Sequence, residues 1–200
     1  MIIGPQAFFM NKQLRINKGF FKAILAAFSD LDASISEQLE LRDKESQLLP
    51  LLYFTCLMLL LSQLIEVTSQ VQEAPYLSVI TAVIVSYLFF LPIFMYVLGF
   101  ILHLILKIFG ASSTSFQTRL ALFWSLSVST LIILVVSISK IFISGTIELL
   151  IVVLSELIIV YIFSRIVSFV SNFKNRNLFT LIITSFYFVP VVLINFSSGT

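Results

Sequence analysis

The residue whose type and position best suit chemistry is Glu156, a carboxylate near the middle of a long apolar run. An ionised carboxylate is costly at the centre of a bilayer, so we expect Glu156 to be protonated, paired or facing a wet cavity. Ser86, Ser129 and Thr130 come to a similar depth when each apolar run is counted from its own end. A hydroxyl–carboxyl network between helices is therefore predicted.

Two interpretations of Glu156 remain open at this point. It is either a proton or cation site, or a protonated side chain that hydrogen-bonds one helix to another. A single deep acid with no matching deep base favours the second interpretation. His103 and Arg165 fall near the ends of their apolar runs, where we expect them to contact lipid headgroups or each other.

The residue types give little support for metal binding or for nucleophilic catalysis. The chain has one histidine, His103, and one cysteine, Cys56, and they lie in different apolar runs. A metal site would need several such ligands together, and a nucleophilic centre would need a recognisable Ser–His or Cys–His pair. We therefore predict no catalytic residue, no metal and no cofactor, and expect Cys56 to serve as a small packing residue.

The composition predicts a membrane protein. Hydrophobic residues make up 59% of the chain, and the mean hydropathy is +1.08. A formal net charge of +2, without a cluster of Lys and Arg, argues against nucleic acid as a partner. The lipid bilayer is the expected environment, and the predicted fold is an all-α, polytopic helical bundle.

Five runs are long enough to cross the roughly 30 Å hydrocarbon core. They lie at about 48–67, 76–106, 120–139, 146–170 and 178–196, and the second, with Pro92 in its middle, contains no charged residue. We divide the chain into an N-terminal segment, 1–47, a five-span domain, 48–196, and a short tail, 197–200. All of the twelve lysines and arginines except Lys140 then fall on the face that carries the N-terminus. The positive-inside rule therefore predicts a cytoplasmic N-terminus and a C-terminus on the opposite side.

The segment before the first span has an amphipathic pattern. Phe20, Phe21, Ile24, Leu25 and Phe28 recur at helical spacing, with lysines beside them. The helix either lies among the headgroups of an anionic membrane or docks on the protein's own spans. Residues 34–45, half of them charged and of both signs, predict a solvated helix that leads into the bilayer. The surfaces predicted to bind a partner or the membrane are formed by Lys18, Phe21, Lys22, Ile24, Phe28, Lys174 and Arg176.

The loop between the second and third spans, 107–118, is rich in Gly, Ser and Thr. Gly110 is expected to leave the helix with a positive φ, and Ser115 or Thr118 to cap the next helix. Lys107, Arg119 and Trp124 are predicted to anchor the two helices at the membrane interface.

Three short motifs follow one another in this region: KIFG at 107–110, SF at 115–116 and RLALFW at 119–124. Together with the amphipathic lead-in and the five spans, they resemble the Yip family, the Ypt/Rab-interacting-protein domain. The resemblance covers about residues 20–196. The chain departs from the relatives after the fourth span, where SNFKNR at 171–176 replaces an acidic, histidine-containing segment.

The resemblance implies a non-enzymatic role in membrane organisation. In eukaryotic relatives that role involves small GTPases and vesicle traffic, but those relatives usually carry a longer soluble N-terminal region. We therefore expect a bacterial-type member in an inner (plasma) membrane. It would act as a scaffold or as an accessory subunit, with a membrane-protein partner or a second copy of itself. The alternative is a small transporter or channel that uses Glu156, with Pro92 marking a broken helix.

Overall fold

The regular structure in the described part of the chain is entirely helical. The computed structural model describes residues 19–70 and 76–197. The helices are α1 (Phe20–Ala27), α2 (Leu31–Leu41), α3 (Leu48–Gln70), α4 (Tyr76–Val85), α5 (Leu91–Ile108), α6 (Ser115–Ser139), α7 (Thr146–Val170) and α8 (Arg176–Ser197). A 3₁₀ turn, Glu45–Gln47, precedes α3, and a π-helical turn, Ser86–Phe90, joins α4 to α5. The all-α prediction is confirmed.

Four helical stretches in the described chain are long and apolar enough to cross a membrane. They are Glu45–Thr68, Leu77–Ile108, Ser115–Ser139 and Thr146–Val170, and they coincide with the first four predicted spans. Helix α8 covers the predicted fifth span with 22 residues. The protein is therefore a helical integral membrane protein with four candidate spans, and a fifth crossing by α8 is a proposal.

Helix α6 lies at the centre of the bundle. Over its most apolar window 56% of the residues are buried, against 11% for the corresponding window of α7. It packs against α3, α5 and α7, while α8 packs on the outer side of α7. Its buried side chains include many serines, and small residues of this kind let neighbouring backbones approach closely in a membrane.

The second span is irregular at a different place from the one predicted. Pro92 lies just inside α5 and does not break the helix. The irregularity is the π-helical turn immediately before it, in which the Leu91 N–H donates to the Ser86 carbonyl oxygen. Proline has no N–H and crowds the preceding turn, so one extra residue in that turn accommodates its ring.

The connection between α5 and α6 agrees only in part with the prediction made from the sequence. Gly110 has a φ of 80°, which confirms the predicted exit from the helix. The cap of α6 is Thr114, and neither Ser115 nor Thr118 takes that role. The Gln117 N–H donates to the Thr114 hydroxyl over 3.2 Å, and the Thr114 N–H donates to the Gln117 side-chain oxygen over 2.9 Å.

Residues 19–47 fold back onto the bundle as an N-terminal cap, which is the name used below for this segment. The predicted solvated helix at 34–45 is corrected here. Helix α2 ends at Leu41 and buries Ser34, Ile35 and Gln38. It packs against both α6 and α7.

Candidate functional site

Helix α1 is docked on the spans through one face. Ile24 and Ala27 are completely buried. The ring centroid of Phe20 lies 4.7 Å from that of Phe54 in α3 and 6.1 Å from that of Trp124 in α6. Phe54 is six residues into α3, so α1 packs about 9 Å along that helix from its first residue.

The opposite face of α1 is apolar and exposed. Phe21, Leu25 and Phe28 are 56%, 60% and 46% exposed, and Lys22 lies beside them. Of the predicted surface residues on α1, Phe21, Lys22 and Phe28 are accessible. Ile24 is not accessible, because it belongs to the docked face. Lys18 lies outside the described residues.

Trp124 differs from its predicted role as an interfacial anchor. Its side chain is fully buried, and its Nε1–H donates to the Ser34 hydroxyl over 3.0 Å. The residue is nine positions into α6, about 14 Å from the first residue of that helix. It therefore holds α2 against the bundle and has no surface on which a headgroup could pack.

An ion pair ties the cap to α7. The Arg165 Nε and Nη2 donate to the two carboxylate oxygens of Asp32 over 3.0 and 2.8 Å. Arg165 Nη1 also donates to the Asn177 side-chain oxygen over 2.8 Å. Arg165 therefore pairs with the cap, while the predicted alternative partner, His103, has its Nδ1 3.2 Å from the Thr118 hydroxyl.

A second ion pair ties the cap to α6. Arg119 pairs with Glu45 of the 3₁₀ turn, and its guanidinium lies 5.9 Å from the centroid of the Tyr96 ring. Arg119 also covers Gly99 so closely that an added Cβ would lie 2.8 Å from the Arg119 Cγ. Arg119 was predicted to reach the headgroups, but it joins three elements inside the protein. Lys107 remains exposed, as an interfacial anchor requires.

The end of α2 carries a half-buried cation, Arg42. Burial lowers the pKa of the Arg42 guanidinium from its usual value, because the charged form loses hydration there. The Arg42 N–H donates to the Gln38 carbonyl oxygen over 3.1 Å, which closes the helix. The C-terminal end of α2 is therefore partly buried.

A polar seam between α3 and α6 was not anticipated from the sequence. Thr55 lies 2.7 Å from Ser127, and Ser62 lies 2.5 Å from Ser137, in each case hydroxyl to hydroxyl. At the opposite end of the same seam, the Lys140 ammonium donates to the Glu66 carboxylate over 2.7 Å. The seven-residue spacing of Thr55 and Ser62 on α3 was the available signal, since such residues share one helix face.

Glu156 is not part of the predicted network. Its hydrogen-bond partner is the hydroxyl of Tyr187 in α8. Ser129 and Thr130 are buried and donate to carbonyl oxygens of their own helix, at Ser125 and Ser127. Ser86 lies in the π-helical turn of the second span. The pair Glu156–Tyr187 therefore joins α7 to α8 across the predicted fourth and fifth spans.

The other predicted surface is the loop between α7 and α8. Lys174 is exposed, and the Arg176 guanidinium lies 4.6 Å from the centroid of the Phe169 ring. Arg165 borders the same loop, so three cations face one region. Within the described residues, no three His, Cys, Asp or Glu side chains are grouped in a way that could hold a metal ion.

Comparisons with known proteins identify the family. No curated protein and no solved structure matches the chain. A family model, described as the Yip1 domain, matches residues 36–196. That range contains α3 to α7, all of α8 but its last residue, and the second half of α2, whereas Asp32 and Ser34 of the cap precede it. The chain therefore belongs to the Yip1 domain family.

Proposed function

We propose that this protein is a non-enzymatic membrane scaffold, or an accessory subunit of a larger membrane complex. The observation that carries the proposal is the N-terminal cap, whose helix α1 packs on the spans through one face and exposes an apolar face on the other side. Phe21, Leu25 and Phe28 lie on the exposed face of α1, and Ile24 and Ala27 on its other face are completely buried. Contiguous apolar surface of this kind marks a contact with lipid or with another protein.

The contacts between the cap and the spans support a fixed position of the cap. Three polar links join it to the bundle: Trp124 to Ser34, Arg165 to Asp32, and Arg119 to Glu45. Each link ends on a different residue of the cap, so the cap cannot rotate about any one of them. A surface that is already ordered loses little conformational entropy when a partner binds.

The packing of α1 near the start of α3 supports a position at the membrane interface. An amphipathic helix at this depth buries its apolar face among the acyl chains and keeps its lysines among the headgroups. Both interpretations of α1 then apply together, since one face docks on the spans and the other meets the bilayer or a membrane-embedded partner.

The proposal includes five crossings, with the cap and the α7–α8 loop on the cytoplasmic side. It keeps the division into the segments 1–47, 48–196 and 197–200, and a bacterial inner membrane as the location. Labelling of single introduced cysteines tests the topology after Cys56→Ala. Lys174→Cys should react only from the cytoplasmic side, whereas Phe142→Cys and Thr200→Cys should react only from the other side. Cytoplasmic labelling at Thr200→Cys would contradict the fifth crossing.

The functional experiment is gentle extraction of the tagged protein from its native membrane, followed by mass spectrometry of stoichiometric partners. The test variant replaces Phe21, Leu25 and Phe28 with Gln, and leaves the buried Ile24 intact. The control replaces Ile108 and Phe109 with Gln, because both are exposed apolar residues outside the cap. A partner lost from the test variant and kept by the control supports the scaffold role.

One combination of results would contradict the scaffold proposal. If the protein is extracted alone, and Glu156→Gln abolishes ion or solute flux in liposomes, the scaffold proposal is wrong. The transport function predicted as the alternative would then replace it. The hydrogen bond from Tyr187 instead favours Glu156 as a link between helices, for which no flux is expected.

A further inference from the structure

The turn between α7 and α8 shapes an open cleft on the same face as the cap. Helix α7 ends at Val170, and Asn172 reverses the chain with a φ of 55°, a conformation that Asn tolerates well. The cleft has a volume of about 710 Å³. Its lining includes Arg165, Lys174, Arg176, Phe173 and Leu178, together with three asparagines.

The cleft is electropositive. Three of its lining residues are cations, and none is a carboxylate. Asp32 at the edge engages Arg165 and lies 4.0 Å from the nearest Arg176 nitrogen. Lys174 has no ion-pair partner within the described residues, so positive charge remains uncompensated after the contribution of Asp32 is counted.

Hydrogen-bond donors reinforce that charge. Residues 176–178 form the first turn of the 22-residue helix α8 and lie in the lining. The first N–H groups of a helix have no carbonyl partner within it, and the helix dipole adds a partial positive charge there. Amide groups of Asn172 and Asn175 supply further donors. Cations, free N–H groups and amides together are the recognised means of holding a phosphate.

Two apolar side chains also line the cleft. They are Phe173 and Leu178; Leu178 is 54% exposed, and the Phe173 ring stacks on that of Phe179 with the centroids 4.6 Å apart. Cations and apolar side chains in one cleft match the two parts of a phospholipid. We propose that this cleft binds the phosphate group of an anionic phospholipid, with the acyl chains against the aromatic pair. The proposal rests on the five-span arrangement, which places the start of α8 at the headgroups.

Native mass spectrometry of the detergent-solubilised protein, titrated with phosphatidylglycerol or phosphatidylcholine, tests this proposal. We expect phosphatidylglycerol to bind more tightly. Lys174→Gln should weaken its binding about fivefold, as expected for one cation near the headgroups. Asn175→Asp, which adds a carboxylate and removes no cation, should weaken binding at least as much. Lys107→Gln is the matched control, since Lys107 is an exposed lysine on a different turn.

Three outcomes would overturn the proposal. Equal weakening by Lys174→Gln and Lys107→Gln would show a general charge effect. Equal affinity for both lipids would exclude recognition of the anion. Displacement of the lipid by inorganic phosphate at equal concentration would assign the cleft to free phosphate. Labelling of Thr200→Cys tests the fifth crossing separately, so a failed topology is distinguished from a failed lipid site.

Discussion

The indole N–H of Trp124 donates to the hydroxyl of Ser34 over 3.0 Å, although 90 residues separate them in the chain. The bond joins the middle of the central helix to the second helix of the cap. Trp124 is fully buried, so the indole nitrogen has no alternative partner in water. Buried polar groups need such partners, and this pair therefore holds α2 against α6.

Removing that bond should loosen the cap with little other effect. Ser34→Ala is expected to lower the stability by about 1 kcal/mol, since the Trp124 N–H then lies buried without an acceptor. Thermal unfolding in detergent measures the change, and Ser46→Ala is the control because Ser46 is exposed in the same segment. A double-mutant cycle with Trp124→Phe should show coupling. Additive effects would mean that the hydrogen bond contributes nothing.

The ion pair between Asp32 and Arg165 should contribute more to the stability of the protein than an ordinary surface ion pair. Both side chains are about a quarter exposed, so solvent screens them only in part. We expect Asp32→Asn to cost about 1–2 kcal/mol, between the values typical of surface and buried pairs. Limited proteolysis should then cut the cap faster. Asp43→Asn, at an exposed position, should leave the cleavage rate unchanged, and equal rates for both variants would contradict a specific role.

Gly99 should tolerate no larger side chain. An added Cβ would lie 2.8 Å from the Arg119 Cγ, and Arg119 is already held by Glu45 and by the Ser115 hydroxyl, 3.2 Å away. Gly99→Val is expected to destabilise the protein by about 1–3 kcal/mol through overpacking. The control is Ala82→Val, at an exposed position of the same span. If the two variants unfold at the same temperature, the close contact of Gly99 with Arg119 is not a constraint.

The pair Glu156–Tyr187 should hold α8 against α7. Tyr187→Phe removes the hydroxyl that bonds Glu156 and is expected to cost about 0.6 kcal/mol, the average for hydrogen bonds between membrane helices. Cross-linking yield between cysteines placed on α7 and α8 reports the packing. Tyr161→Phe serves as the control, because Tyr161 is exposed on α7. A yield that falls equally in both variants would argue against the link.

The linear pattern of residues determined most of the secondary structure. Apolar runs of bilayer length predicted the four candidate spans and the helix at the position of the fifth, because a membrane leaves helices as the simplest way to satisfy the backbone. Gly110 was identifiable as a helix exit, since a positive φ favours glycine. The three motifs at 107–124 pointed to the family that the comparison then showed.

Only the tertiary structure decided which residues are partners. Trp124 and Arg119 have residue types that are common at a membrane interface, and their spacing contains nothing to show that Ser34 and Glu45 of the cap are their partners. The same holds for Glu156, whose partner Tyr187 lies on the adjacent helix and not among the hydroxyls counted to a similar depth. Depth within a span follows from position in the chain. The neighbour across a helix interface depends on the rotation and order of the helices, which are set by packing between segments far apart in sequence.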